Sequence, residues 1–195
     1  MSNTSYVALL GEVRESVRDF YPRFGLQLTP KIAMQNLMEE IGEYFRAVGV
    51  CMFAPSDGSR FQVGKEAADV IYTLVGHVES LGFAEECIEL MRQAPRLFNS
   101  LLDHAPSQQA AVPILLSDYL RSVGVYEHSP FPENKEYAQA TAMTLIAALI
   151  TYVRERCVDD PWRCVKDVVI ANNMKTPEDY EVISRGPKVR RKGKA

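Results

Sequence analysis

Apolar residues recur along this chain at three- and four-residue steps, and almost nowhere at alternate positions. In SYVALLGEVRESVRDFY (5–21), Tyr6, Leu9, Leu10, Val13, Val17 and Phe20 form one stripe of a helix. FGLQLTP interrupts the pattern. Thr29 then offers an N-cap with Pro30 at the first helical position, which predicts a second helix over about 30–49, ending near Gly49. APSDGSRFQVG (54–64) is rich in turn residues and predicts a loop. Further helices are expected at about 64–81, at 84–103 with a kink at Pro95, and at 107–123, 135–157 and 161–175. YEHSPFPEN (126–134) predicts a loop, and the chain beyond about 176 reads as polar and irregular. KDVVIA has the β-branching of a strand, but its flanks are helical in pattern. With no βαβ alternation, no GxxxxGKS/T and no GxGxxG, a parallel-sheet nucleotide fold is not expected. The expectation is an all-α bundle of about seven helices.

The pattern also echoes itself. Shifted by 75 positions, EIGEYFRAVGV (40–50) falls on LLSDYLRSVGV (115–125), and EAADVIYTLVGHV (66–78) falls on TAMTLIAALITYV (141–153) without a gap. Tyr44 meets Tyr119 and Arg46 meets Arg121. The apolar positions persist, whereas Glu40, Glu43, Glu66 and Asp69 become Leu115, Asp118, Thr141 and Thr144. An internal duplication in which packing was kept and most of the acid was lost accounts for both halves of that comparison.

The 195 residues suffice for one domain with a full core. A net charge of −3 gives no general attraction for polyanions, so nucleic acid is not an expected partner. The exception is KVRRKGKA at the C-terminus, with Lys188, Arg190, Arg191, Lys192 and Lys194 close together. No basic-then-apolar start signal is evident. The longest apolar stretch, AMTLIAALITYV, is too short for a span, so no membrane association is expected. Cys51, Cys87, Cys157 and Cys164 show no paired spacing and are expected to be reduced, in a cytoplasmic protein.

One stretch does not fit a simple amphipathic helix. NLMEEIGEYFRAVG (36–49) crowds Glu39, Glu40 and Glu43 among apolar and aromatic residues. Residues three apart share a helical face, with Cβ atoms about 5–6 Å apart, so Glu40 and Glu43 project together. So do Glu66 and Asp69 in KEAAD. If the two helices pack antiparallel, the four carboxylates converge, and a hard divalent cation relieves their repulsion. An ExxE pair alone is commonly just a solvated face. Here Leu37, Ile41, Tyr44 and Phe45 flank Glu40, and Val70, Ile71 and Leu74 flank Asp69, which places the acids at the border of the core. A di-iron bundle needs Glu-x-x-His on two helices, and His77, His104 and His128 do not supply it.

EEIGE followed by EAAD resembles the EExxE…ExxD signature of the all-α nucleoside triphosphate pyrophosphatases, the group that includes MazG-like proteins and the dimeric dUTPases. VVIANNMK (168–175) is similar to the Asn-x-x-Lys segment that follows in that family, here Asn172 and Lys175. The resemblance covers roughly 30–82 and 161–175. It implies hydrolysis of a nucleoside triphosphate, a deoxynucleotide by preference, to the monophosphate and pyrophosphate, with Mg²⁺ or Mn²⁺ in its place. Mapped by motif, Glu40, Glu43, Glu66 and Asp69 are the metal ligands. Glu39 is a supporting acid or the base for the attacking water, giving Glu39, Glu40 and Glu43 as the catalytic acids. Asn172 and Lys175 hold phosphates.

The departure from the family is the stretch of about 80 residues between the acidic pairs and ANNMK. It suits a fused pseudo-dimer: one domain over 1–180, with an acid-bearing repeat (30–103), a degenerate repeat (105–175) and a basic flexible tail (181–195). A homodimer or higher oligomer stays open beside the fused form. Asn36, Lys65 and Tyr72 are further substrate-binding candidates, each with a packing or solvated-face alternative. Trp162 reads as a packing residue at a helix start. The tail either clamps the triphosphate, with Arg185 and Lys188 nearest the motif, or binds nucleic acid without sequence preference, or is a solubilising end. The rival expectations are a phosphoribosyl-ATP pyrophosphatase-like enzyme and a non-catalytic helical nucleotide-binding or regulatory protein.

Overall fold

A computed structural model describes residues 3–93, 111–182 and 189–193. These residues form helices α1 (Asn3–Arg23), α2 (Pro30–Phe53), α3 (Asp57–Ser80), α4 (Ala84–Gln93), α5 (Ala111–His128), α6 (Pro132–Arg156) and α7 (Pro161–Asn173), then strands β1 (Tyr180–Val182) and β2 (Val189–Arg191). The protein is therefore an all-α bundle with one small antiparallel hairpin. The expected continuation of α4 to 103 and the kink at Pro95 lie outside the described residues, as does His104. No helix among the described residues is long and apolar enough to cross a membrane.

The periodic stripes are the buried faces. Leu9, Leu10, Val13, Val17 and Phe20 of α1 are buried, as are Leu37, Ile41, Tyr44 and Val48 of α2. α2 starts where its cap predicts: Thr29 accepts from the Ile32 N–H at 3.3 Å, with Pro30 following. α3 is the central element and packs against α1, α2, α4, α6 and α7. Its apolar residues are accordingly buried on several sides, including Val63, Ala67, Val70, Ile71, Leu74 and Val78. It ends where Gly82 takes φ +82 and the Phe83 N–H returns to the Val78 carbonyl at 3.3 Å. Phe83 is fully buried beyond that turn.

The loop expected over 54–64 is a correction. α2 runs four residues past Gly49, and α3 begins at Asp57. Ser56 caps it, accepting from the Ser59 N–H at 3.0 Å while Ser59 Oγ accepts from the Ser56 N–H at 2.8 Å. This reciprocal box overrides the turn-forming composition of the segment. Two of its glycines lie inside α3. At Gly64 a Cβ would stand 3.2 Å from Val158 and 3.3 Å from Cys164 Sγ, so the bare backbone lets α3 and α7 approach closely.

The 75-residue echo appears in the element boundaries. It maps Phe53, last of α2, onto His128, last of α5, and Asp57, first of α3, onto Pro132, first of α6. Tyr44 and Tyr119 are both fully buried. Two helical hairpins, α2–α3 and α5–α6, thus follow the same register and meet through α3 and α6.

The irregular C-terminal segment is a second correction. β1 and β2 pair antiparallel, Tyr180 with Arg191 and Val182 with Val189. Arg190 Nε donates to Glu181 at 2.8 Å across the ladder, and Val189 packs on the core, so this part of the basic segment belongs to the body of the protein. Three-residue strands are too short to register as alternation. The four cysteines are free thiols, as expected. Burial pushes the Cys87 thiol up to about 12 and the Cys157 thiol up to about 11.

Candidate metal centre and adjoining groove

Helical spacing and the α2–α3 packing bring Glu40, Glu43 and Glu66 together. One carboxylate oxygen from each lies within 4.8 Å of the others. Glu40 and Glu43 are half-buried and Glu66 is buried. Glu66 Oε1 accepts from Gln62 Nε2, one turn earlier on α3. Glu66 Oε2 is buried with no protein partner. Burying a carboxylate oxygen without a donor costs about 1–3 kcal/mol or more, and the other two acids in reach add repulsion. The donor set is all hard oxygen on two rigid helices. It fits a divalent cation such as Mg²⁺ or Mn²⁺, with Glu40, Glu43 and Glu66 as the residues that would hold it.

Asp69, expected as a fourth ligand, does not join this group. Its carboxylate is taken by Lys65 Nζ at 3.1 Å, a local i,i+4 pair. The same ammonium lies 3.6 Å from Glu66 Oε1. Burial works to lower the Lys65 pKa, but Asp69 and Glu66 outweigh it and hold the ammonium above its ordinary value. Glu39 is exposed on α2 and lies outside both the triad and the cavities beside it, which does not favour the role of water-activating base.

A cavity of about 210 Å³ opens beside the triad. Glu40 forms part of its wall, with Phe20 and Tyr21 of α1 and Asn36 of α2. Asp69 and Tyr72 of α3, Asn172 and Lys175 at the end of α7, and Val189 of β2 close the other sides. A second cavity, of about 300 Å³, runs along the α3–α7 groove from Phe61 and Val168 to Lys65, and shares Asp69, Asn172 and Lys175 with the first. Glu43 and Glu66 border a third hollow of about 270 Å³, with Arg46 and Gln62.

At the end of α7, Lys175 Nζ donates to Asn172 Oδ1 at 2.8 Å. The ammonium stands 5.7 Å from the Phe20 ring centre and 6.0 Å from that of Tyr180. Asn36 is buried, and its Nδ2 donates to the Tyr21 hydroxyl at 2.8 Å. Tyr72 lines the cavity, but its hydroxyl is engaged with Ser16 Oγ at 3.1 Å, and Ser16 donates to Asn173 Oδ1 at 2.6 Å. Burial raises the Tyr72 phenol well above its usual range. Arg185 and Lys188 lie outside the described residues. Trp162 is buried at the start of α7, as expected of a packing residue.

Several residues of the site carried no signal in the sequence. Arg23 Nη1 donates to the carbonyls of Asn172, Asn173 and Lys175 at 3.1–3.2 Å, capping α7 and fixing the Asn/Lys segment. Phe20, Tyr21 and Ser16 reach the site from α1, a long way off in sequence. Gln62 was findable: it stands four residues before Glu66, and a helix through 57–64 would have placed it there.

Comparisons with family models, with curated proteins and with solved structures find no match to this chain. The resemblance to the pyrophosphatases rests on the sequence motifs alone.

Proposed function

We propose that this chain is a divalent-metal-dependent nucleoside triphosphate pyrophosphohydrolase. The observation that carries the reading is Glu66 Oε2, buried without a partner against Glu40 and Glu43, in the wall next to a cavity that ends on Asn172 and Lys175. A core that needed only packing would not hold three carboxylates there. At the corresponding position of the second hairpin, the Thr141 hydroxyl is satisfied by Ser122 Oγ at 2.7 Å.

Mg²⁺ bound by Glu40, Glu43 and Glu66 would supply charge neutralisation at phosphate oxygens and an acidified water. The chain supplies the rest. Lys175, oriented by Asn172, attracts the phosphates. Lys65 and Asp69 stand where the two cavities meet the acids. Phe20, Tyr21 and Asn36 form a half-aromatic, half-polar wall suited to a nucleoside. Hydrolysis between the α and β phosphates, giving a monophosphate and pyrophosphate, is the reaction this arrangement suits.

The test is pyrophosphate release from a panel of NTPs, dNTPs and phosphoribosyl-ATP with Mg²⁺ or Mn²⁺, comparing wild type with Glu43→Gln. Release from nucleoside triphosphates, abolished by the substitution, is expected. Release from phosphoribosyl-ATP alone assigns the substrate to that compound. No release from any substrate leaves a nucleotide-binding protein and ends the catalytic reading.

A further inference from the structure

Lys65 stands between the acidic triad and the groove. Its Nζ lies 3.6 Å from Glu66 Oε1 and 3.1 Å from Asp69 Oδ2, while its side chain is half exposed. It also lines the α3–α7 cavity with Asn172 and Lys175. We propose that Lys65 is an exchangeable counter-ion: it neutralises the acids when no metal is bound, a divalent cation displaces it, and its ammonium then turns into the groove to meet the phosphates of the substrate. The proposal rests on the metal-dependent reading above.

The argument is one of competition for the same oxygens. Glu66 has one oxygen engaged, by Gln62 and Lys65, and one buried oxygen with no partner. A cation that binds Glu66 together with Glu40 and Glu43 claims one of the two carboxylates that hold Lys65, and leaves the ammonium only Asp69, which lines the groove. Two positive centres then compete for one carboxylate, and the mobile one yields. The lysine stem is long, flexible and open to solvent, so its head can move without the helix moving. The groove it faces already holds the Lys175 ammonium, and a polyphosphate is the ligand that lets two ammonium groups share that space. Lys65 thereby screens the acids from one another without metal, and contributes to phosphate binding only after metal has arrived. A plain helix-surface i,i+4 ion pair would do neither.

The experiment is Mn²⁺ titration of the full chain by electron paramagnetic resonance, without nucleotide, in wild type, Lys65→Met, Lys65→Arg and Glu43→Gln. Lys65→Met should bind Mn²⁺ about fivefold more tightly than wild type, the scale of an exposed ion pair, while Lys65→Arg stays near wild type. With Mn²⁺ saturating, affinity for inorganic tripolyphosphate should fall about tenfold in Lys65→Met, the scale of one charge-assisted hydrogen bond. Unchanged or weaker Mn²⁺ binding in Lys65→Met, or unchanged tripolyphosphate affinity, overturns the counter-ion role while the metal centre stands. Absence of Mn²⁺ binding in wild type, or binding that Glu43→Gln leaves intact, removes the metal centre and this proposal with it.

Discussion

Glu66 on α3 and Thr141 on α6 hold corresponding positions in the two helical hairpins, yet Thr141 Oγ1 lies 2.7 Å from Ser122 Oγ while Glu66 Oε2 is buried with no protein partner. The second hairpin shows how this position is filled when packing alone decides. A further hydroxyl, that of Thr144, corresponds to Asp69 and donates to the Ala140 carbonyl of its own helix at 2.8 Å. The first hairpin keeps an arrangement that costs stability unless a cation joins it.

Glu66→Gln should therefore raise stability without metal. The amide conserves shape, removes a charge, and offers N–H donors to the two facing carboxylates. The gain expected is about 1–2 kcal/mol, or a few degrees in Tm for a chain of this size. Added MgCl₂ should raise the Tm of wild type and leave the variant's unmoved. Thermal melts with and without Mg²⁺ read both effects, and a variant that melts lower than wild type in metal-free buffer contradicts the account.

Tyr44 and Tyr119 give a second matched pair with opposite expectations. Tyr119 OH meets His77 Nδ1 at 2.7 Å, with the rings edge-on. The Tyr44 hydroxyl, fully buried on the other hairpin, has no partner. Tyr44→Phe should stabilise the fold by about 1 kcal/mol, and Tyr119→Phe should destabilise it by a similar amount by stranding His77. Denaturation midpoints in urea at pH 7.5 distinguish the two. Equal signs would mean that the hydroxyls do not differ in satisfaction.

The helical stripes of α1 and α2 were legible because a 3.6-residue period survives in any long half-buried helix. The Glu40/Glu43 face was legible for the same reason. The start of α3 was not, because Ser59 closes its capping box where a glutamate or glutamine is the usual mark, and Gly58 and Gly64 weaken the helical pattern. That error hid Gln62. Asp69 is placed among the ligands by helical spacing and by the motif, and neither registers the local pull of Lys65. Arg23 had no signal at all: its three acceptors lie about 150 residues further along the chain, and only the packing of α1 on α7 brings them together. The β1–β2 pairing was hidden by its length.

Lys175→Met tests the phosphate end of the cavity. The ammonium is held by Asn172 and by the faces of Phe20 and Tyr180, so it is oriented before any ligand arrives. Methionine keeps most of the apolar stem and deletes the ammonium with its charge, its hydrogen bond to Asn172 and its ring contacts. Binding of a nonhydrolysable triphosphate in the presence of Mg²⁺, measured by calorimetry, should weaken by about tenfold to a hundredfold, the worth of one or two charge-assisted contacts. Mn²⁺ binding without nucleotide should stay unchanged, since Lys175 is not part of the triad. A variant that binds triphosphate as wild type does removes Lys175 from the site.

His77 sets a pH dependence that does not involve the candidate site. It is fully buried between the hairpins, and burial pushes its pKa down to about 4 from an ordinary 6.5. The native state therefore holds the ring neutral through a range in which the unfolded chain protonates it. Its contribution is fully present above pH 6.5 and is lost progressively as pH falls to about 4. The total loss attributable to this group is about 3 kcal/mol, from roughly 1.36 kcal/mol per pH unit over that window. His77→Gln keeps a hydrogen-bonding group toward Tyr119 and removes the titration. Stability measured by urea unfolding at pH 7.5, 6, 5 and 4 should fall more steeply in wild type than in the variant, with the two lines diverging below pH 6.5. Parallel lines across that window would show that the ring takes up its proton in the folded state as readily as in the unfolded one.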